Sequence, residues 1–292
     1  MELSRIRLSK IKAFGELVMF SHTIFSLPFA VISMLWAADG LPPVRVLFWI
    51  FVALIGARNG ANAINRLVDK EIDQKNPRTA DRHLPKGIVK DYEVILLIFL
   101  CLGVMTLAAF MLNPLCVKLL PLALIGFAIY SYTKRFTWTC HIILGIVCGG
   151  APVGAWMAVT GQIGWPSIIL GAVVTCWVAG FDIIYATQDI NFDRNHGLHS
   201  IPARFGVKKS LYISALFHKV TVALLIYLYY LMDLGWFYLI GVGLIATLLL
   251  VEHKMVSPSN LKTMKIASYS INQVVSITML VFSLLDFWIL NR

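Results

Sequence analysis

The chain has little charge for its length. Asp, Glu, Lys and Arg make up 14% of its 292 residues, whereas a soluble domain has roughly 25%. Hydrophobic residues make up 59% and mean hydropathy is +0.78. These values exclude an ordinary soluble domain and predict an all-α membrane protein. The net charge of +10 then reflects membrane topology, and we expect no nucleic-acid partner.

Motifs for zinc and thiol chemistry are also lacking. None of the five cysteines forms a C-x-x-C pair, and none of the seven histidines forms H-x-x-x-H. We therefore expect small, buried thiols rather than a disulfide framework. His196 and His199 share a loop three residues apart, which is a poor zinc signature.

Nine apolar stretches approach the length of about 20 residues that a helix needs to cross a bilayer. They are Leu17–Ala38, Val44–Asn65, Tyr92–Leu112, Val117–Tyr132, Thr139–Thr160, Trp165–Ala186, Leu211–Met232, Trp236–Val251 and Ala267–Leu290. Basic residues concentrate before the first stretch and after the even-numbered ones, whereas the other face holds only Arg45, Lys118 and Arg292. The positive-inside rule then places the N-terminus in the cytoplasm, with 66–91 and 187–210 as cytoplasmic cap loops. We expect one membrane domain in a bacterial-type inner membrane.

Two of the apolar stretches end in polar residues at helical spacing. The first set is Arg58, Asn62, Asn65, Asp69 and Asp73. On a single helix its members would lie within about 80° of one another. The second set is Asp182, Asp189 and Asp193. Because the second and sixth stretches run in the same direction, both sets are predicted at the same face of the membrane.

The residue types in these sets favour a metal-bound diphosphate. Carboxylates and an Asn amide are hard oxygen ligands that suit Mg²⁺, whose coordination substrate phosphates usually complete. Four basic residues predicted on the same face suit phosphate oxygens: Arg78, Arg82, Lys134 and Arg135. A charge at membrane depth, as at Asp182, costs about 2.5–3.5 kcal/mol, which favours a functional role. Together these features predict a lipid diphosphate as substrate.

With these residues the chain resembles the UbiA superfamily of intramembrane aromatic prenyltransferases, in particular its 4-hydroxybenzoate polyprenyltransferase group. The first motif, N-x-x-x-D-x-x-x-D, runs from Asn65 to Asp73, and R-T-A-x-R-x-L-P-x-G follows from Arg78 to Gly87. The second motif, D-x-x-Y-A-x-x-D-x-x-x-D, runs from Asp182 to Asp193, and Y-x-x-x-K-R-x-T runs from Tyr130 to Thr137.

The resemblance implies nine helices around a central cavity, and Mg²⁺-dependent transfer of a polyprenyl group from its diphosphate to the ring of a hydroxylated aromatic acid in quinone biosynthesis. The implied metal ligands are Asn65, Asp69, Asp73, Asp189 and Asp193. The implied substrate-binding residues are Arg58, Asn62, Arg78, Arg82, Tyr130, Lys134 and Arg135. The implied catalytic residues are Asp69, Asp182 and Tyr185.

The aromatic acceptor has two candidates. The group resemblance points to 4-hydroxybenzoate. However, Arg66 follows Asn65 directly, where many members have Asp, and H-S-I-P-A-R-F-G occupies 199–206. Both features are closer to a branch linked to menaquinone made by the futalosine route, whose acceptor resembles a dihydroxynaphthoate.

Other interpretations of the same residues stay open. Asp69 and Asp73 also suit a solvated helix end that pairs with Arg66 and Lys70, and the two candidate tyrosines suit an interfacial aromatic belt. Intramembrane acids also mark ion paths, as in a cation transporter; here, however, the acids end at one face. A CDP-alcohol phosphotransferase would carry D-G-x-x-A-R, which is absent.

Overall fold

The structure is a computed structural model that describes residues 13–18, 23–256 and 267–289. Every regular element in these ranges is helical, which confirms the all-α class. The longer elements are α1 (Thr23–Ala38), α2 (Val44–Val68), α3 (Lys70–Lys75), α4 (Asp91–Leu112), α5 (Pro114–Thr133), α6 (Cys140–Thr160), α7 (Trp165–Ala186), α8 (Ile190–Asn195), α9 (Ile201–Leu231), α10 (Trp236–Met255) and α11 (Asn272–Ile289). A 3₁₀ turn (Thr187–Asp189) precedes α8, and a π-helical turn (Ala267–Ile271) precedes α11.

Within the described ranges, eight helices are long and apolar enough to cross a membrane, and Phe25–Ala38 is a shorter apolar helix. This agrees with the nine predicted stretches, although the first of them includes residues 19–22, which lie outside the described ranges. Large apolar side chains such as Phe99 and Trp165 are 71% and 72% exposed. Such surfaces mark contact with lipid rather than with water.

The chain divides into two compact units. The first comprises the described residues up to Thr23 together with Val44–Tyr132. In this unit α2 packs closely on α4 at Gly56. The approach requires glycine, because a Cβ atom there would lie 2.6 Å from the Cys101 carbonyl oxygen. Small residues that let helix backbones approach are typical of packing in membranes.

The second unit comprises Ile24–Pro43 and the chain from Thr133 onward. Here α7 packs on both α6 and α9. A Cβ atom at Gly145 of α6 would collide with the Thr175 carbonyl oxygen of α7. The buried core gathers around Trp177, with Phe29 and Tyr238 among its largest side chains. Asp286 of α11 caps the start of α10, because its two carboxylate oxygens accept the Gly235 N–H at 2.7 Å and the Tyr238 N–H at 3.1 Å.

Two predicted boundaries differ from the structure. The first polar set does not lie on one helix, because α2 ends at Val68 and Asp69 has φ −90° and ψ 5° before α3 begins. The predicted cap loop 187–210 contains a short helical segment that begins at Ile201, and the backbone then leaves helical geometry at Gly206, with φ 77° and ψ 165°, before the long part of α9. Pro202 lies in the first turn of this segment, where proline is well tolerated. Ser200 caps that turn by accepting the Ala203 N–H at 3.2 Å.

Candidate active site

The first acidic motif lies where α2 passes into α3. The Asn65 side-chain amide donates to Asp69 Oδ2 at 2.9 Å. Backbone bonds of helical spacing continue on both sides of the break, from Asp69 N to Asn65 O at 2.9 Å and from Asp73 N to Asp69 O at 2.7 Å. The three side chains therefore occupy successive turns, as the four-residue spacing predicts, in spite of the break.

Asp73 anchors the loop that follows the motif. Its carboxylate is 6% exposed, and Arg82 Nη1 lies 2.6 Å from its Oδ2. The Thr79 hydroxyl donates to the Asp73 carbonyl at 3.1 Å. Arg82, a predicted substrate-binding residue, is thus also an ion-pair partner of a predicted metal ligand, whereas the Arg78 side chain is exposed.

Three further predicted residues of this unit lie on α2 and α5. The Asn62 amide donates to the Val18 carbonyl at 2.5 Å, and the Tyr130 hydroxyl donates to the Ala61 carbonyl at 3.2 Å. Arg58 is half-buried on α2, one turn before Asn62. Lys70, which the solvated interpretation paired with the motif, forms an ion pair with Asp91 at 2.7 Å.

The second acidic motif spans the end of a membrane helix and the two short elements that follow it. Asp182 lies on α7, Asp189 ends the 3₁₀ turn, and Asp193 lies on α8. Asp193 is fully buried, and both of its oxygens have neighbours: Lys134 Nζ lies 2.8 Å from Oδ1, and the Ser200 hydroxyl donates to Oδ2 at 2.8 Å. The structure therefore joins a predicted diphosphate ligand, Lys134, to a predicted metal ligand.

The Lys134 ammonium is electrostatically bound to this motif. Burial by itself would lower the pKa of Lys134, but the negative charge of Asp193 outweighs it, with a smaller contribution from Asp189, so the pKa is raised above its ordinary value. The backbone is fixed as well, because the His199 N–H donates to the Lys134 carbonyl at 2.7 Å. Lys134 therefore stays protonated at neutral pH. The neighbouring Arg135 side chain is exposed.

Asp182 has a partner that the sequence analysis missed. His141 Nδ1 lies 2.7 Å from Asp182 Oδ2, and the Ile201 N–H donates to His141 Nε2 at 3.4 Å. His141 is 3% exposed. The sequence did indicate this residue, since His141 is the one histidine or charged residue in the apolar stretch Thr139–Thr160. Ionisable residues at membrane depth usually serve a site.

Aromatic rings surround the part of α7 that carries Asp182. Tyr185 contacts Tyr269 edge to face, with ring centroids 5.2 Å apart. Phe181 lies 5.6 Å from Phe25 and 5.3 Å from Trp177 by the same measure. Such faces can stabilise a cation once water is excluded.

A sequence profile of the UbiA prenyltransferase family matches residues 26–275. The chain belongs to this family. The family resemblance predicted from the motifs is therefore confirmed, and the protein is a prenyl-transferring enzyme.

Individual relatives of this UbiA-family chain agree with that assignment. It is 29% identical over 283 residues to a 4-hydroxybenzoate octaprenyltransferase of Vibrio campbellii (strain ATCC BAA-1116), covering 96% of this chain and 99% of that protein. It is 32% identical over 224 residues to the protein of the same name from Vibrio atlanticus (strain LGP32), covering 75% of this chain and 78% of that protein.

Among solved structures, the apo structure of a UbiA homolog from Aeropyrum pernix K1 is similar to this chain with a TM-score of 0.83 and 33% identity, covering 91% of this chain and 98% of that one. A UbiA homolog from Archaeoglobus fulgidus, solved with GPP and Mg²⁺, shares the fold with a TM-score of 0.71 at 18% identity, covering 94% of this chain and 99% of that one. The predicted UbiA-type helical fold is thus confirmed.

The carboxylate and amide side chains of the two acidic motifs are suitable ligands for a divalent cation, but they do not form a closed metal site. Carboxylate and amide oxygens are the ligands that Mg²⁺ prefers. Within either unit, however, the described residues contain no group of three or more His, Cys, Asp or Glu arranged to hold a metal ion. Mg²⁺ is usually bound by one or two carboxylates together with substrate phosphates and water. The donor set fits that open type of site.

Proposed function

We propose that this enzyme transfers a polyprenyl group from polyprenyl diphosphate to the ring of a hydroxylated aromatic acid, with 4-hydroxybenzoate as the acceptor, in respiratory quinone biosynthesis. The observation that carries the proposal is the match, over 99% of its length, to a protein named 4-hydroxybenzoate octaprenyltransferase. The two acidic motifs, each at the end of an apolar helix, support it, because they suit a charged head group attached to an apolar tail.

In this proposal the head group is held by both motifs. Asn65, Asp69, Asp73, Asp189 and Asp193 would hold Mg²⁺, which when bound neutralises the charge that develops on the departing diphosphate. The solved homolog from Archaeoglobus fulgidus binds GPP and Mg²⁺, which supports this choice of cation. Four basic side chains bind the remaining phosphate oxygens: Arg78, Arg82, Lys134 and Arg135.

The chain's own residues then protect and direct the reacting carbon. Breaking the C–O bond to diphosphate leaves an allylic cation, which water would trap unless the site excludes it. Phe181 and Tyr185 present aromatic faces to this cation. A ring carbon ortho to the acceptor hydroxyl attacks, and Asp69 or Asp182 takes the proton that the ring loses. Arg58, Asn62 and Tyr130 bind the acceptor.

We propose that the enzyme lies in a bacterial inner membrane with its N-terminus and both acidic motifs in the cytoplasm. The excess of Lys and Arg in the loops on that face supports this orientation.

The test is a product assay in reconstituted liposomes. The purified protein receives Mg²⁺ and a polyprenyl diphosphate, with 4-hydroxybenzoate and a dihydroxynaphthoate offered in parallel, and products are identified by mass. We expect a prenylated benzoate, whose formation stops with EDTA and resumes with added Mg²⁺. A prenylated naphthoate alone would change the acceptor but not the reaction. No prenylated product from either acceptor, or metal-ion flux without a prenyl substrate, would contradict the proposal.

A further inference from the structure

The Asp182 carboxylate is held on one oxygen only. Its Oδ2 lies 2.7 Å from His141 Nδ1, and its side chain is 25% exposed. Among the residues that the structure describes, no other side chain or backbone group bonds to it. The second oxygen, Oδ1, is thus available to a ligand.

Two buried carboxylates of the same unit contact a partner at each oxygen, whereas the buried Glu252 has a hydrogen-bond partner, the Asn272 amide, at Oε1 and none at Oε2 among the described residues. Asp193 has Lys134 at one oxygen and Ser200 at the other. Asp286 accepts a backbone N–H at each oxygen. Asp182 differs from all three, because its side chain is 25% exposed and its partnered oxygen is held by a histidine, within a membrane helix where an ionisable residue is costly.

The bonds of His141 determine which ring nitrogen carries the proton. The Ile201 backbone N–H can only donate, and it points to Nε2 at 3.4 Å. With Nε2 accepting that bond, Nδ1 carries a proton and donates it to Asp182 Oδ2. The start of α9 fixes Ile201 in turn, because the Ser200 cap is itself bonded to Asp193.

We propose that His141 is a positioning residue, which turns the Asp182 carboxylate so that Oδ1 takes the proton released by the aromatic acceptor. This inference rests on the proposed function. Hydrogen bonds of this kind fix the orientation of a carboxylate. His141 itself does not touch the substrate.

The step balances in bonds and electrons. The C–O bond of the polyprenyl diphosphate breaks, and its electron pair leaves on the diphosphate. A C–C bond forms from the π electrons of the acceptor ring. The ring C–H bond then breaks, its electrons restore aromaticity, and its proton goes to Asp182 Oδ1 and on to solvent.

Variants at His141 and Asp182 test the inference in the full-length, reconstituted protein. His141→Leu and His141→Phe remove the donor, whereas His141→Asn keeps one, since Asn Nδ2 takes the place of His Nδ1. We expect the apolar variants to lose kcat by on the order of 10²-fold, as misplacement of a catalytic group does, with KM for both substrates within about threefold of wild type. His141→Asn should stay within about tenfold of wild-type kcat.

The decisive measurement is the double variant. Asp182→Asn alone should lower kcat by on the order of 10²–10⁴-fold, the range of a general base. If His141 acts through Asp182, adding His141→Leu to Asp182→Asn should lower kcat by no more than about threefold further. Ser214→Ala is the matched control, because it removes a buried bond of 2.7 Å between α9 and the Gly180 carbonyl of α7. It should leave kcat unchanged.

Several outcomes would overturn the inference while the proposed function stands. In each of them the wild-type enzyme makes product. The first is full kcat in the His141→Leu and His141→Phe variants. The second is a double variant whose kcat loss equals the product of the two single-variant losses, and the third is a kcat loss in His141→Asn as large as that in His141→Leu. Failure of both apolar variants to fold, with Ser214→Ala folded, would show that His141 is structural. If the wild-type enzyme itself makes no prenylated product, the proposed function fails first.

Discussion

The Lys134–Asp193 ion pair is the part of the second acidic motif whose removal has the clearest consequence. Lys134→Met leaves the fully buried Asp193 carboxylate with the Ser200 hydroxyl as its partner. Breaking one side of a buried pair costs about 3–5 kcal/mol. Because the Lys134 side chain is 31% exposed and water screens part of the loss, we expect about 2–3 kcal/mol. The measurement is thermal unfolding of the purified protein in detergent with EDTA present.

The same variant should respond more strongly to metal. Loss of the ammonium removes a cation that competes for Asp193, so added Mg²⁺ should raise the unfolding midpoint of Lys134→Met more than that of wild type. Lys134→Arg keeps the charge and is the control. The pKa of Lys134 is raised above 10.5, so the pair stabilises the fold below that pH and is lost only as pH rises through the higher folded value. The destabilisation should therefore be constant from about pH 6 to 9. An unchanged midpoint for Lys134→Met without metal would refute the reasoning.

Three further changes have defined outcomes. Asp69→Ala should lower Mg²⁺-dependent turnover by at least about 10²-fold at an unchanged unfolding midpoint. Glu71→Ala, in the first turn of α3, should stay active; equal activity of both variants would remove Asp69 from the site. Arg82→Leu should lower the free energy of unfolding by about 2–3 kcal/mol, because the carboxylate that it contacts is buried; a midpoint equal to wild type would contradict this. Gly145→Val should prevent α6 from packing on α7 and reduce the yield of folded protein. Gly150→Ala should not, because a Cβ atom there meets open space. Equal yields would show that the close approach of α6 to α7 at Gly145 is dispensable.

The positions of the membrane helices could be predicted because lipid imposes a local rule. Each stretch must be long and apolar, so the pattern alone places α7 at Trp165–Ala186, where the structure has it. Where local signals conflict, the prediction was wrong. Within the predicted cap loop 187–210, a helical segment begins at Ile201, directly after the Ser200 cap. The break at Asp69 was hidden, because the four-residue spacing persists through it.

The sequence predicted the motif residues of the candidate site but not the side chains that contact them. Spacing identified the acidic residues, and the family comparison confirmed what kind of enzyme carries them. The partners of these residues depend on contacts between distant parts of the chain. His141 meets Asp182 across 41 positions, and Lys134, in the turn between α5 and α6, meets Asp193 on α8. No periodicity within one helix reports such contacts, so they became visible only in the structure.

The central claim is that both acidic motifs act on one diphosphate head group. The most direct measurement is the affinity of the reconstituted enzyme for a non-hydrolysable prenyl diphosphate analogue, with and without Mg²⁺, in wild type, Asp69→Ala and Asp189→Ala. We expect Mg²⁺ to strengthen binding in wild type, and each substitution to remove most of that gain. If either substitution leaves the Mg²⁺-dependent affinity at the wild-type value, the two motifs do not share the head group and the account is wrong.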